Sequence, residues 1–162
     1  MKYVKVKLSA LGMRKIIAKK NSDRVDEAFL ECLWNYVIVS KNVNRTFISC
    51  PFCNENHSFR KIYDFENSNK CKLIYSYQDV RIKVGNSIMF IVSEDGKVVY
   101  EVPDLFFHFF AEHNMVPKEF FRKAVIYGVK PGTSQYYECI KEKFLNDAER
   151  KFVQEKKLRK NT

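Results

Sequence analysis

VRIKVGNSIMFIVSEDGKVVYEVPDLFFHFFAEHN, residues 80–114, decides the fold. Val80–Val84, Ile88–Val92 and Lys97–Tyr100 are short runs rich in β-branched residues, separated by Gly85-Asn86 and by Glu94-Asp95-Gly96. Asp-Gly between two apolar runs is a hairpin signal, because such a turn needs a residue at home with positive φ. With Leu73-Ile74-Tyr75 just upstream, the pattern predicts an antiparallel meander. At Pro103-Asp104 the period changes. Leu105 to Glu112 is apolar nearly all round, which predicts a short buried helix that His113-Asn114 closes.

Outward from this stretch, Tyr3 to Leu8 alternates apolar and charged residues, as an edge strand does. Ser22 or Asp23 is placed to cap a helix whose Val25, Phe29, Leu33 and Trp34 recur at helical spacing, with Cys32 as a small buried hydrophobe. Arg45 to Ile48 reads as a short strand. On the far side, Pro117 starts a helix with Phe120, Phe121, Ala124 and Val125 inward. Ser134 is placed to cap a long final helix, to about residue 158, with Tyr137, Ile140, Phe144, Ala148 and Phe152 on one face. The expected class is α+β: an antiparallel sheet with an N-terminal helix and C-terminal helices, in one domain over 1–162 whose residues 155–162 form a flexible basic tail.

The chain has 162 residues, 46% hydrophobic and 15% aromatic, enough to bury a core without cross-links. Its net charge is +10, and the excess is uneven: the first twenty residues carry Lys2, Lys5, Lys7, Arg14, Lys15, Lys19 and Lys20 and no acid. Arg150, Lys151, Lys156 and Lys157 crowd the other end. Such excess favours phosphate backbones or acidic protein surfaces, and equally serves solubility. No run approaches the ~20 apolar residues of a membrane span, and the N-terminus has no signal-peptide block. Five cysteines, an odd number, suit a reducing cytoplasm better than a disulfide framework.

Cys50-Pro51-Phe52-Cys53 carries the chemistry. Two thiolates from one tight turn are a natural half-site for zinc, and a redox pair is the rival, though that pair normally sits where a strand meets a helix. His108 and His113 span the end of the predicted buried helix, so both face one point if its last turn tightens or unwinds. The set Cys50, Cys53, His108 and His113 is the preferred site; the local alternative takes His57 and Cys71 as the remaining ligands. In order of parts, with the knuckle first, a hairpin next and a helix bearing the histidines, the chain resembles two-Cys two-His and treble-clef zinc fingers. That resemblance implies a structural zinc ion. It departs in spacing, since more than fifty residues separate the halves where a finger has about a dozen.

Enzymatic patterns are missing. A zinc deaminase needs His-x-Glu before Pro-Cys-x-x-Cys, yet no histidine precedes His57 and Pro51 lies inside the pair. H-E-x-x-H, the phosphate-binding and dinucleotide glycine patterns and Gly-x-Ser-x-Gly do not occur. Glu112-His113-Asn114 shares three residues with small ββα metal nucleases and lacks their upstream Asp-His. The first expectation is a non-enzymatic, zinc-stabilised protein that binds nucleic acid through its basic surface, with Tyr75, Tyr77 or Tyr136 stacking on unpaired bases. The second is an accessory factor or inhibitor, of phage or mobile-element type, that docks on a nucleic-acid-handling machine; a metal-dependent nuclease is the third.

Overall fold

The structure, a computed structural model, describes residues 1–20, 26–53, 64–66 and 73–144. In chain order these form β1 (Lys2–Lys5), α1 (Ala10–Ile16), β2 (Ile17–Lys19), α2 (Glu27–Ile38), β3 (Lys41–Asn42), β4 (Asp64–Glu66) and β5 (Ile74–Tyr77). There follow β6 (Val80–Lys83), β7 (Ser87–Val92), β8 (Val98–Pro103), α3 (Leu105–Ala111), β9 (Val116–Pro117), α4 (Glu119–Tyr127) and α5 (Ser134–Phe144). The class is α+β, as the sequence predicts.

The hairpin β7–β8 is the centre of a four-stranded sheet of order β1-β8-β7-β3. Its turn is held by Asp95, whose carboxylate accepts from Ser93 Oγ at 2.6 Å and from the Lys97 N–H at 2.9 Å, while Gly96 supplies φ 72°. β1 does lie at an edge, but it runs parallel to β8, in register Lys2↔Val98 to Lys5↔Glu101. The expected continuous meander is divided. β5 and β6 pair across Gln78 and Asp79, both at positive φ, and belong with β4 to a separate three-stranded sheet.

The division falls at Gly85, where φ is 122°. Asp104, at the head of α3, makes no capping bond to its own helix. Its Oδ1 instead accepts from the N–H groups of Gly85 at 2.9 Å and Ser87 at 3.3 Å. The expected strand at Arg45–Ile48 does not form. Only Lys41 and Asn42 pair with β7, at Ile88 and Ser87, because β7 itself begins at Ser87. The chain beyond is caught by single bonds, Asn44 N–H to Asn86 O at 3.2 Å and Ile48 N–H to Gly85 O at 2.8 Å.

Helices α2, α3 and α4 pack together over the four-stranded sheet. Every residue of α3 is buried, and its rings meet those of its neighbours: Phe110 lies 5.1 Å from Phe29, and Phe107 lies 5.4 Å from Trp34. Such pairs add about 0.5–1.5 kcal/mol each beyond the area they bury. Several sequence expectations shift by a residue or more. Asp26 caps α2, accepting from Phe29 N–H at 3.1 Å; Ser22, Asp23 and Val25 lie outside the described residues. Thr133 caps α5 in place of Ser134, and α4 begins at Glu119, two residues after Pro117. Phe120 and Tyr137 are half exposed, while Phe121 and Tyr136 are buried. Beyond Phe144, the rest of the expected long helix and the tail lie outside the described residues. Helix α1 is an addition to the sequence reading.

Asp104 gives the fold a pH signature. It is 1% exposed with Oδ2 unpartnered, and burial lifts its carboxyl from 3.8 to about 6, against the backbone N–H groups of Gly85, Ser87, Asp104 and Leu105 that pull it down. The folded state therefore holds this proton more tightly than the unfolded chain, so the contribution is greatest below the unfolded pKa and declines as pH rises toward the folded one. Relative to Asp104→Asn, wild-type stability should fall by up to ~3 kcal/mol between about pH 4 and pH 6, then level. Urea melts of both proteins across that range measure it; parallel profiles would refute the shift.

Candidate metal centre

Four side chains from two distant parts of the chain converge where the knuckle meets α3. Cys50 and Cys53 sit at either end of the Pro51-Phe52 turn, His108 is the fourth residue of α3, and His113 lies just past its end. Their ligand atoms all lie within 4.8 Å of one another. Cys53 Sγ is 3.1 Å from His108 Nε2 and 3.8 Å from His113 Nε2; Cys50 Sγ is 3.3 Å from His113 Nε2. The two Nε2 atoms are 3.0 Å apart.

A tetrahedral ion with metal–nitrogen bonds of ~2.05 Å and metal–sulfur bonds of ~2.3 Å needs edges of roughly 3.4–3.8 Å between ligand atoms. The four separations above, 3.0–3.8 Å, fall within about half an ångström of that, and the whole set lies within 4.8 Å, so the donors could hold one metal ion.

The histidines stand five residues apart, which on a straight helix points them to different faces. The end of α3 resolves this. The His113 N–H still bonds the Phe109 carbonyl at 3.2 Å, Asn114 then takes φ 54°, and the Met115 N–H closes back on Phe109 O at 3.3 Å. The turn swings His113 across to His108, ring centroids 4.7 Å apart. Asn is among the few residues that adopt this backbone region readily.

His108 is fully buried, with Nδ1 2.5 Å from the hydroxyl of Tyr75 on β5. With Nδ1–H donating to Tyr75, the Nε2 lone pair is left facing the sulfurs, the tautomer a metal requires. Cys50 accepts the Phe52 N–H at 3.3 Å. Burial pushes its thiol pKa up, and the N–H groups of Phe52 and Cys53 partly offset that. Cys50 is a free thiol, whereas Cys53 is disulfide-bonded. Because metals take thiolates, the metal-competent form is the reduced one.

The alternative ligands His57 and Cys71 lie outside the described residues, as do Arg150, Lys151, Lys156 and Lys157. Lys5, Lys7, Arg14, Lys15, Lys19 and Lys20 are all exposed. Two of the three expected stacking tyrosines are a correction: Tyr75 and Tyr136 are each 1% exposed, Tyr75 under His108 and Tyr136 donating its hydroxyl to Phe90 O at 2.7 Å, while Tyr77 is partly exposed. Sequence reasoning also missed Tyr75 as the support of a ligand, and no local pattern marks it. Tyr75→Phe should weaken metal binding by ~10–100-fold while leaving the four ligands in place. Competition against a chromophoric chelator measures this, and an unchanged affinity would remove Tyr75 from the site.

Fold and cluster together define an α+β protein with a Cys2His2 set able to hold a metal ion. The chain belongs to the family described as Domain of unknown function (DUF7919), whose match covers residues 8–126 and so contains all four candidate ligands. No curated protein and no solved structure matches it. Among the described residues, no helix is long and apolar enough to cross a membrane.

Proposed function

We propose that the cluster holds a structural zinc ion and that the protein binds nucleic acid through the basic surface carried by its first twenty residues. The observation that carries the first half is the closed set: four protein donors around one point leave no open position for a reacting water, which favours a structural role over catalysis. Two thiolates and two imidazoles suit zinc among the common divalent ions. The second half rests on Lys5, Lys7, Arg14, Lys15, Lys19 and Lys20, which are exposed on a segment free of acidic residues. A run of cations without counter-charges is drawn to a phosphate backbone and releases its counterions on binding.

Fluorescence anisotropy with a labelled oligonucleotide, titrated at several salt concentrations on reduced, zinc-loaded protein, tests this reading. Six engaged cations imply a loss of affinity on the order of 10²–10³-fold between ~50 and ~200 mM salt. No binding at low salt, or binding indifferent to salt, defeats it; in that case, recovery of one stoichiometric protein partner after nuclease treatment would favour a protein-docking role.

A further inference from the structure

Between α1, β2 and the knuckle lies an open groove of about 490 Å³, a size that suits a small ligand or one unit of a polymer. Its floor is apolar, built from Met13, Ile17, Pro51 and Phe52, and its rim carries Arg14, Lys19 and Lys20. We infer that this groove is a single-strand nucleic-acid site, in which an unpaired base lies on the Phe52 side of the floor and the three cations hold the flanking phosphates. The inference rests on the nucleic-acid reading above and sharpens it to one class of substrate.

The argument is one of chemical match. A cationic rim alone would serve any polyanion, duplex included. A floor that opens Pro51 and part of Phe52 inside that rim, over the buried Met13 and Ile17, needs a ligand that carries flat apolar faces together with its negative charge, and a duplex hides those faces in its stack. An acidic peptide brings carboxylates without the faces.

Phe52 is only partly buried, and Lys20 Nζ stands 5.1 Å from its ring centroid. The same ammonium, on its four-carbon stem, reaches a phosphate when a base takes its place over the ring. The ring itself is fixed from beneath, edge-on to Phe109 at 5.3 Å and to His113 at 6.0 Å. Since Phe52 lies between the two cysteines and leans on Phe109 of α3 and on His113 just beyond it, the candidate metal centre builds one wall of the groove.

Groove and basic surface are separated by two matched triple variants of the reduced, zinc-loaded full chain. Arg14→Gln/Lys19→Gln/Lys20→Gln neutralises the rim; Lys2→Gln/Lys97→Gln/Lys123→Gln removes three exposed cations that do not line it. Binding is measured for a short oligothymidylate and for a hairpin duplex of equal charge. The rim variant should lose at least about tenfold in single-strand affinity and ~2 from the log–log salt slope, the control about twofold in affinity. Phe52→Leu, with zinc content verified, should lose about tenfold for the single strand and little for the duplex. Equal losses in the two triples, or a duplex bound as tightly as the single strand, overturns the groove while the basic-surface reading stands. Wild type binding neither oligonucleotide overturns both.

Discussion

His113→Ala, produced and purified under reducing conditions, should carry no stoichiometric metal, whereas His57→Ala should keep it. Mass spectrometry of metal content per chain decides between the two ligand sets in one experiment, because His113 belongs only to the long-range site and His57 only to the local one. The long-range set has its Nε2 atoms 3.0 Å apart and its sulfurs within reach of both. The effect on stability should also be large. Structural zinc sites bind with apparent free energies of ~10–16 kcal/mol at neutral pH, and where the site exists only in the folded chain that energy is folding energy. Losing even ~5 kcal/mol would lower the melting temperature by ~15 °C for a domain of this size. Cys53→Ser and chelation of the wild type should give losses of similar size. A His113→Ala protein that keeps both its ion and its melting temperature would falsify the assignment. Because Cys53 is disulfide-bonded in the structure, metal uptake should also be lower in oxidised than in reduced protein.

The candidate cluster was legible in the sequence because ligand chemistry is local information. A thiolate pair on a tight turn and a histidine pair at a helix end are visible in a few residues each, and the buried aromatic helix between Asp104 and Glu112 announces that its histidine has nowhere polar to go except a partner. Tyr75 was not legible. Whether a strand tyrosine faces water or a histidine thirty-three residues away depends on which sheet the strand joins, and apolar alternation fixes the face of a strand but not its neighbours. For the same reason Leu73–Tyr75, Val80–Val84, Ile88–Val92 and Lys97–Tyr100 were readable as strands, while their exact ends, their division into two sheets and the parallel pairing of β1 with β8 were not.

Phase errors have a different cause. Phe120-Phe121 and Tyr136-Tyr137 each offer two adjacent aromatics, and a helix can turn either one inward at similar hydrophobic gain. Tyr136 wins because its hydroxyl finds the Phe90 carbonyl. Helix α1 escaped because Gly12 reads as a breaker. Its role is close approach: a Cβ there would lie 1.9 Å from the Lys7 carbonyl oxygen, while Ser9 caps the turn by accepting the Gly12 N–H at 3.1 Å. The helix that lines the basic groove is thus made possible by the residue that disguises it.

Gly85→Ala is expected to be the most damaging small substitution outside the ligands. At φ 122° an L-residue is strained, and a Cβ at this position would stand 2.8 Å from the Ile48 carbonyl oxygen, a backbone atom with little room to yield. Backbone strain of ~1–3 kcal/mol and an overpacking cost of similar size together imply a loss of ~2–5 kcal/mol. The location makes the consequence specific. Gly85 receives the Ile48 N–H through its carbonyl and gives its own N–H to Asp104, so it joins the segment leading into Cys50 to the head of the helix that carries His108. Pushing Ile48 away moves the cysteine turn off the histidines. Gly85→Ala should therefore lose metal affinity as well as stability, whereas a core truncation remote from this link, such as Val125→Ala, should lower stability while the folded fraction keeps its affinity. Chelator competition alongside denaturant melts separates the two, and a Gly85→Ala protein with wild-type metal affinity would show that the link does not align the site.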